Sequence, residues 1–208
     1  MNVQSGYEIW SAIYDTNENK TRDLEAISLR ETMEGFTFNS CLEIGCGTGK
    51  NTVWLETKAK QITAVDLTPA MIDKARAKIK TNTVTFVIAD INKDWNFINN
   101  EYDLVTFSLV LEHIENLNPI FEKLSNCVKS NGYVYISELH PFKQYAGSKA
   151  RFDTPNGEQV VDCFNHHISD SINAASKYGF ELKLLKEYFD DNNKNTIPRI
   201  LTLLFRKK

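Results

Sequence analysis

Three glycines at alternate positions, and one aspartate about twenty residues on, are the residues of this 208-residue chain whose types and spacing point most directly to chemistry. Residues 42–49 read Leu-Glu-Ile-Gly-Cys-Gly-Thr-Gly, an apolar run feeding a turn built on Gly45, Gly47 and Gly49. Glycine lacks a Cβ, so such a turn permits positive φ and lets a ligand approach the backbone. Asp66 ends the next apolar run, at a distance that suits a carboxylate accepting both hydroxyls of a ribose. Dinucleotide-binding turns use G-x-G-x-x-G, whose amides meet a pyrophosphate. Here the third glycine comes one residue early and Lys50 stands where that motif needs glycine. The turn, preceded by Glu43, therefore suits a ligand without pyrophosphate. A glycine turn with no ligand is the plain alternative, but it does not call for an acid at that distance.

The elements around these residues alternate between strand and helix. Residues 40–44, 61–66, 84–89, 102–108 and 133–138 read as strands. Thr68-Pro69 opens a helix with Met71, Ile72, Ala75 and Ile79 on one face. Leu117, Ile120, Phe121, Leu124 and Val128 have helical spacing, and Gly132 follows as a stop. Residues 6–35 read as mostly helical and 139–167 as a long loop. A helix follows, with Ser169 as its cap and Gly179 at its end. Runs 180–189 and 197–206, joined by DDNNKNTIP, read as an antiparallel hairpin. The expected fold is α/β: a Rossmann-like, seven-stranded, mostly parallel sheet with helices on both faces and an antiparallel C-terminal hairpin. The whole chain reads as one domain, with a helical cap at 1–36, a core at 37–138 and an acceptor loop, helix and hairpin at 139–208.

LEIGCGTGKNT resembles the first signature of class I S-adenosylmethionine (SAM)-dependent methyltransferases, of the small-molecule type. AVDLTPAMIDKAR, VIADI and YDLVTFSLVLEHI resemble the second to fourth signatures, and the final hairpin is similar to the family's reversed seventh strand. The resemblance implies SAM as cofactor and S-adenosylhomocysteine as product. It implies that Gly45, Gly47, Thr48 and Gly49 wrap the cofactor's amino-acid portion, with Glu43 bracing the loop. Asp66 would hold the ribose, Leu67 and Met71 would pack on the adenine, and Asp90 and the backbone of Ile91 would bind its edge. Ser108, Leu109 and His113 would line the region of the reacting methyl, and Tyr14 would close over it. Each residue also has a plainer reading: Met71 as core, Asp90 as a turn cap, His113 as a polar helix-start residue.

A sulfonium cofactor brings its own activation, so the protein supplies proximity, orientation and sometimes a base. The chain lacks the Asn/Asp-Pro-Pro-aromatic turn that marks many amine-methylating relatives, and SLVLEH stands in its place. The expected acceptor is a small molecule at the carboxyl edge of the sheet, under the N-terminal helices and the 139–167 segment. His140, His166 and His113 are the candidate bases. Tyr7, Trp10, Phe142, Tyr145, Arg151, Phe152 and His167 are the candidate acceptor contacts. Tyr7, Trp10 and Tyr14 suit an aromatic lid or an amphipathic helix face packed as core. A net charge of -3 with dispersed Lys and Arg argues against nucleic acid as partner. The four cysteines form no C-x-x-C pair, so no metal is expected, and no apolar run or leader points away from the cytoplasm. The competing readings are a SAM-binding protein without turnover, a nicotinamide oxidoreductase, and a methyltransferase acting on RNA or protein. Oligomeric state is not legible in the sequence.

Overall fold

The computed structural model describes residues 1–155 and 157–208. Two helices, α1 (Val3–Trp10) and α2 (Lys20–Met33), precede the first strand, β1 (Phe38–Ile44). The glycine turn leads into α3 (Lys50–Leu55), and β2 (Ala59–Asp66), α4 (Pro69–Lys78), β3 (Val84–Ile88) and β4 (Tyr102–Ser108) follow. A 3-10 turn at Leu111–His113 precedes α5 (Asn118–Cys127) and β5 (Val128–Leu139). Then come α6 (Pro141–Tyr145), β6 (Arg151–Thr154), β7 (Gly157–Val160), α7 (Ile168–Lys177), β8 (Phe180–Tyr188) and β9 (Ile200–Lys207).

The main sheet has seven strands in the order β3-β2-β1-β4-β5-β9-β8. Its first five strands pair in parallel, and β9 runs antiparallel to both β5 and β8. Alternation along β1 shows why the sheet takes helices on both faces. Leu42 and Ile44 enter one core with Phe121, Leu124 and Ala175 of α5 and α7. Cys41 enters the other with Leu29 and Met33 of α2, Leu55 of α3 and Ile72 of α4. A sheet buried on both faces reads as unbroken apolar runs, which is how its strands stand out in the sequence. A third, small core joins α1 to the β6–β7 hairpin through Trp10, Phe152 and Val161. No helix among the described residues is long and apolar enough to cross a membrane.

The last third departs from the sequence reading in detail. Residues 139–167 are not one long loop: they hold α6 and the two-stranded β6–β7 sheet. Both pieces are short and largely polar, so neither carries an amphipathic signal of useful length. The N-cap of α7 is His167 rather than Ser169, and the Asp170 carboxylate accepts from the His167 N–H at 2.8 Å.

Strands β1 and β4 are parallel neighbours, but the connection after β1 turns toward β2 on one side and that after β4 toward β5 on the other. The two connections part there, and a cleft opens at that switch point.

Candidate active site

The cleft has a volume of about 740 Å³, its open mouth included. Its floor is the glycine turn. Gly45 and Gly47 have φ of +73° and +54°, a region that disfavours any other residue. They are glycine for different reasons. A Cβ on Gly45 would lie 2.2 Å from Val110 Cγ2, whereas a Cβ on Gly47 would meet nothing nearer than Tyr14 Cε1 at 3.9 Å. Gly45 thus permits close packing, while Gly47 presents bare backbone to the cleft.

Asp66 sits beside this turn at the end of β2. One carboxylate oxygen accepts from the Gly47 N–H and the other from the Thr68 N–H, each at 2.8 Å. Burial raises its pKa, against the pull of those N–H groups. The Thr68 side chain and the Leu67 N–H also act on this carboxylate, which lines the cleft where a diol can reach it. On the next loop Asp90 Oδ1 accepts from the Asn92 N–H at 2.9 Å. The Ile91 carbonyl is engaged by Trp95 Nε1 and Lys123 Nζ, so a backbone contact to a ligand falls to its N–H.

Leu109, after β4, has φ of +59°, a strained position for a residue with a branched side chain. Glu138 holds that bend from behind: its Oε1 accepts from the N–H groups of Val110 and Leu111 at 3.0 and 2.9 Å. Burial pushes the Glu138 carboxyl up to about 8. At the rim, the Tyr7 hydroxyl lies 2.9 Å from His113 Nε2, and His113 Nδ1 lies 2.8 Å from the Asp162 carbonyl. A carbonyl can only accept, so Nδ1 carries the ring proton and Nε2 accepts from Tyr7.

Tyr7, Tyr14, Gly45, Gly47, Asp66, Leu67, Asp90, Ile91, Ser108, Leu109 and His113 line the cleft together. The remaining sequence candidates lie outside it. Glu43 is buried behind the turn, where its Oε2 accepts from Thr52 Oγ1 at 2.6 Å and burial pushes its carboxyl up to about 8. Thr48 turns its hydroxyl to Asp15, 2.6 Å away, whose other oxygen pairs with Lys78. Gly49 packs on α4: a Cβ there would lie 3.1 Å from Ile79 Cδ1. Met71 is fully buried.

The 139–167 candidates require correction. His140 directly follows β5, but the antiparallel hairpin covers it. It is 0% exposed, its N–H donates to the Arg199 carbonyl, and its Nε2 meets Glu187 Oε1 at 2.9 Å. His166 Nε2 is tied to the Ile114 carbonyl at 2.7 Å. Arg151 faces out toward Glu158 at 3.6 Å. Phe142 and Tyr145 are exposed, the latter bonded to His167. Trp10 and Phe152 stack on each other, with centroids 4.9 Å apart. Of the four histidines only His113 reaches the cleft.

Sequence reasoning missed Glu25. Its carboxylate, buried in α2, accepts from Asn51 Nδ2 at 2.9 Å and from the Tyr135 hydroxyl at 3.4 Å. This ties the N-terminal helices to the segment behind the glycine turn. The only sequence signal was a Glu among apolar positions of a helix. Val3 and Ile114, which also line the cleft, carried no signal at all.

The residues present fit a nucleoside with a flexible amino-acid tail: bare backbone at Gly47, a carboxylate lining the cleft at Asp66, and a second acid at Asp90. Comparison with known proteins agrees. Residues 42–136 match a family model described as a methyltransferase domain. The chain is 25% identical to an uncharacterized methyltransferase of Emericella nidulans, over 85% of this chain and 74% of that one. It is 32% identical to a malonyl-[acyl-carrier protein] O-methyltransferase of Acetivibrio thermocellus, over 58% of this chain but only 46% of that one. In fold it is similar to the N-methyltransferase NodS of Bradyrhizobium japonicum, solved with S-adenosylhomocysteine. The TM-score is 0.74 at 16% identity, covering 100% of this chain and 99% of that one.

Proposed function

We propose that the chain is a class I SAM-dependent methyltransferase, a reading supported by its match to a methyltransferase-domain model over residues 42–136, and that it methylates a small molecule held in the cleft by Tyr7 and His113. The observation that carries this reading is the Tyr7–His113 hydrogen bond, made by two residues that line the same cleft as Asp66 and Asp90. The cofactor, when bound, supplies an electrophilic methyl on a positively charged sulfur.

This chain's residues do the rest. Asp66 and Asp90 fix the nucleoside end, and Gly47 lets the backbone approach. Ser108 and the Leu109 bend shape the wall near the reacting centre. Val3, Tyr7 and Ile114 bound the remaining space and exclude water from it. The Tyr7 hydroxyl gives its proton to His113 Nε2 as a hydrogen bond, which leaves its oxygen lone pairs facing an acceptor O–H or N–H. An acceptor that loses a proton on attack can pass it to the Tyr7 oxygen as Tyr7 passes its own to His113. The cytoplasm, as the compartment of a small-molecule enzyme with free thiols, belongs to the same proposal.

A structure with S-adenosylhomocysteine bound tests the placement. The homocysteine sulfur should face Tyr7 and His113, and a sulfur turned toward Asp90 would refute it. Tyr7→Phe should lower the single-turnover rate of methyl transfer about 100-fold with SAM affinity unchanged, within the range of proton-transfer catalysis. A non-catalytic SAM-binding protein would release no S-adenosylhomocysteine with any acceptor of a panel of small alcohols, amines and carboxylic acids.

A further inference from the structure

Behind His113, facing away from the cleft, three side chains of different chemistry meet. Glu112 and His113 lie on the 3-10 turn after β4, and Cys163 lies on the segment between β7 and α7. One ligand atom from each lies within 4.8 Å of the other two. Cys163 Sγ is 3.9 Å from His113 Nδ1. Zinc bonds of about 2.0 to 2.3 Å put tetrahedral ligands roughly 3.5 Å apart, so this pair needs to close by only about half an ångström. Cys163 is half-buried on an irregular segment, where such a shift is cheap, while the other three cysteines are buried.

A second observation points to a missing partner. Glu112 is 6% exposed, and its Oε2 is buried without a hydrogen bond. Cys163 and Gln144 hydrogen-bond the carboxyl group, so it is the unpartnered Oε2 that calls for an explanation. Burial also raises the pKa of Glu112, and pushes the Cys163 thiol up to about 12.

We propose that Glu112, His113 and Cys163 form a binding site for a divalent cation of the zinc class. Thiolate, imidazole and carboxylate are the donors zinc takes, whereas magnesium and calcium seek oxygen alone. Three protein ligands leave a fourth position for water. On binding, the Cys163 thiol gives its proton to solvent, and so does Glu112 where it is protonated. His113 exchanges the Nδ1–H bond to the Asp162 carbonyl for a bond from Nδ1 to the metal, and its ring proton moves to Nε2. The imidazole stays neutral. Nε2–H must then donate to the Tyr7 oxygen, which reverses the hydrogen bond at the rim of the cleft and closes the proton route through His113. This last consequence, unlike the site itself, rests on the function proposed above.

The test is a titration of the chelator-stripped full chain with cobalt(II), a coloured stand-in for zinc. The site predicts a thiolate-to-cobalt charge-transfer band that saturates at one equivalent and is bleached by zinc. Cys163→Ser should abolish the band, and Glu112→Gln should weaken cobalt binding at least about tenfold. A missing band, a band of unchanged strength in Cys163→Ser, or an unchanged cobalt affinity in Glu112→Gln would each overturn the site. Should Cys163→Ser fail to fold, the Glu112→Gln affinity decides. S-adenosylhomocysteine affinity, measured by calorimetry on the same stripped protein, reports the cofactor cleft separately. Loss of one signal with retention of the other therefore tells a failed metal site from a failed functional reading.

Discussion

Replacing Glu43 by Gln should make stability less sensitive to pH. Glu43 is 4% exposed, faces Glu25 of α2 and Asp66 of β2, has Cys41 and Cys46 nearby, and receives one hydrogen bond, from Thr52. Burial and the two neighbouring acids push its carboxyl from 4.5 to about 8. Below pH 4.5 the carboxyl is protonated in both folded and unfolded chains and costs nothing. Between there and pH 8 the unfolded chain ionises while the folded one does not, so stability falls as pH rises, by about 1.36 kcal/mol per unit. From pH 4.5 to 7 this amounts to about 3 kcal/mol. Gln has nearly the same shape and an oxygen to accept from Thr52, but nothing to titrate. The stability difference between Glu43→Gln and the parent should therefore grow by about 3 kcal/mol in favour of the variant over that interval. Urea unfolding of both proteins at half-unit steps of pH measures it. Two parallel stability curves, offset by a constant, would refute a neutral Glu43 and with it the reasoning about the buried acids behind the glycine turn.

Asp66→Ala should weaken SAM binding about 10- to 100-fold, the loss of charge-assisted hydrogen bonds worth roughly 1.5–3 kcal/mol; an unchanged Kd by calorimetry would remove Asp66 from the ribose. It should also lower the melting temperature, because the N–H groups of Gly47 and Thr68 lose their acceptor. Gly45→Ala and Gly47→Ala should part company. The first meets Val110 and should destabilise by more than about 2 kcal/mol, while the second pays only the strain of positive φ, about 1–2 kcal/mol, and mainly weakens cofactor binding. Arg151→Ala, at an exposed ion pair outside the cleft, should leave both SAM affinity and turnover within twofold of the parent; a larger loss in a turnover assay would return Arg151 to the acceptor site.

The residues legible from sequence were those whose function constrains backbone or spacing. Gly45, Gly47 and Asp66 could be read together because only a short helix and one strand, α3 and β2, separate turn from acid. The strands were legible because a sheet covered on both faces needs continuous apolar runs. The histidines were not. Following a strand does not say which way a side chain leaves it, and His140 turns under a hairpin that is close in space but some 50 to 60 residues away in sequence. Gly49 and Gly47 look alike on paper, but one packs on α4 and the other faces the cleft, a difference decided by tertiary contact. Glu112 and Cys163 are brought together only by the path of the segment beyond the β6–β7 hairpin, which reads as featureless loop.

The small core between α1 and the β6–β7 hairpin bears on timing. Trp10, Phe152 and Val161 are its buried members, with Val3, Tyr7 and Tyr14 packed against them. The cores that clamp the main sheet are far larger, so this contact parts at a lower free energy than the rest of the fold. Val3, Tyr7 and Tyr14 are also one wall of the cleft. Were this wall to swing while the sheet stays shut, spent cofactor would have to wait for it. Departure of product, rather than methyl transfer, would then set the pace of the cycle. Amide exchange in α1 and the hairpin should run fast and in concert, and slow together when S-adenosylhomocysteine is bound.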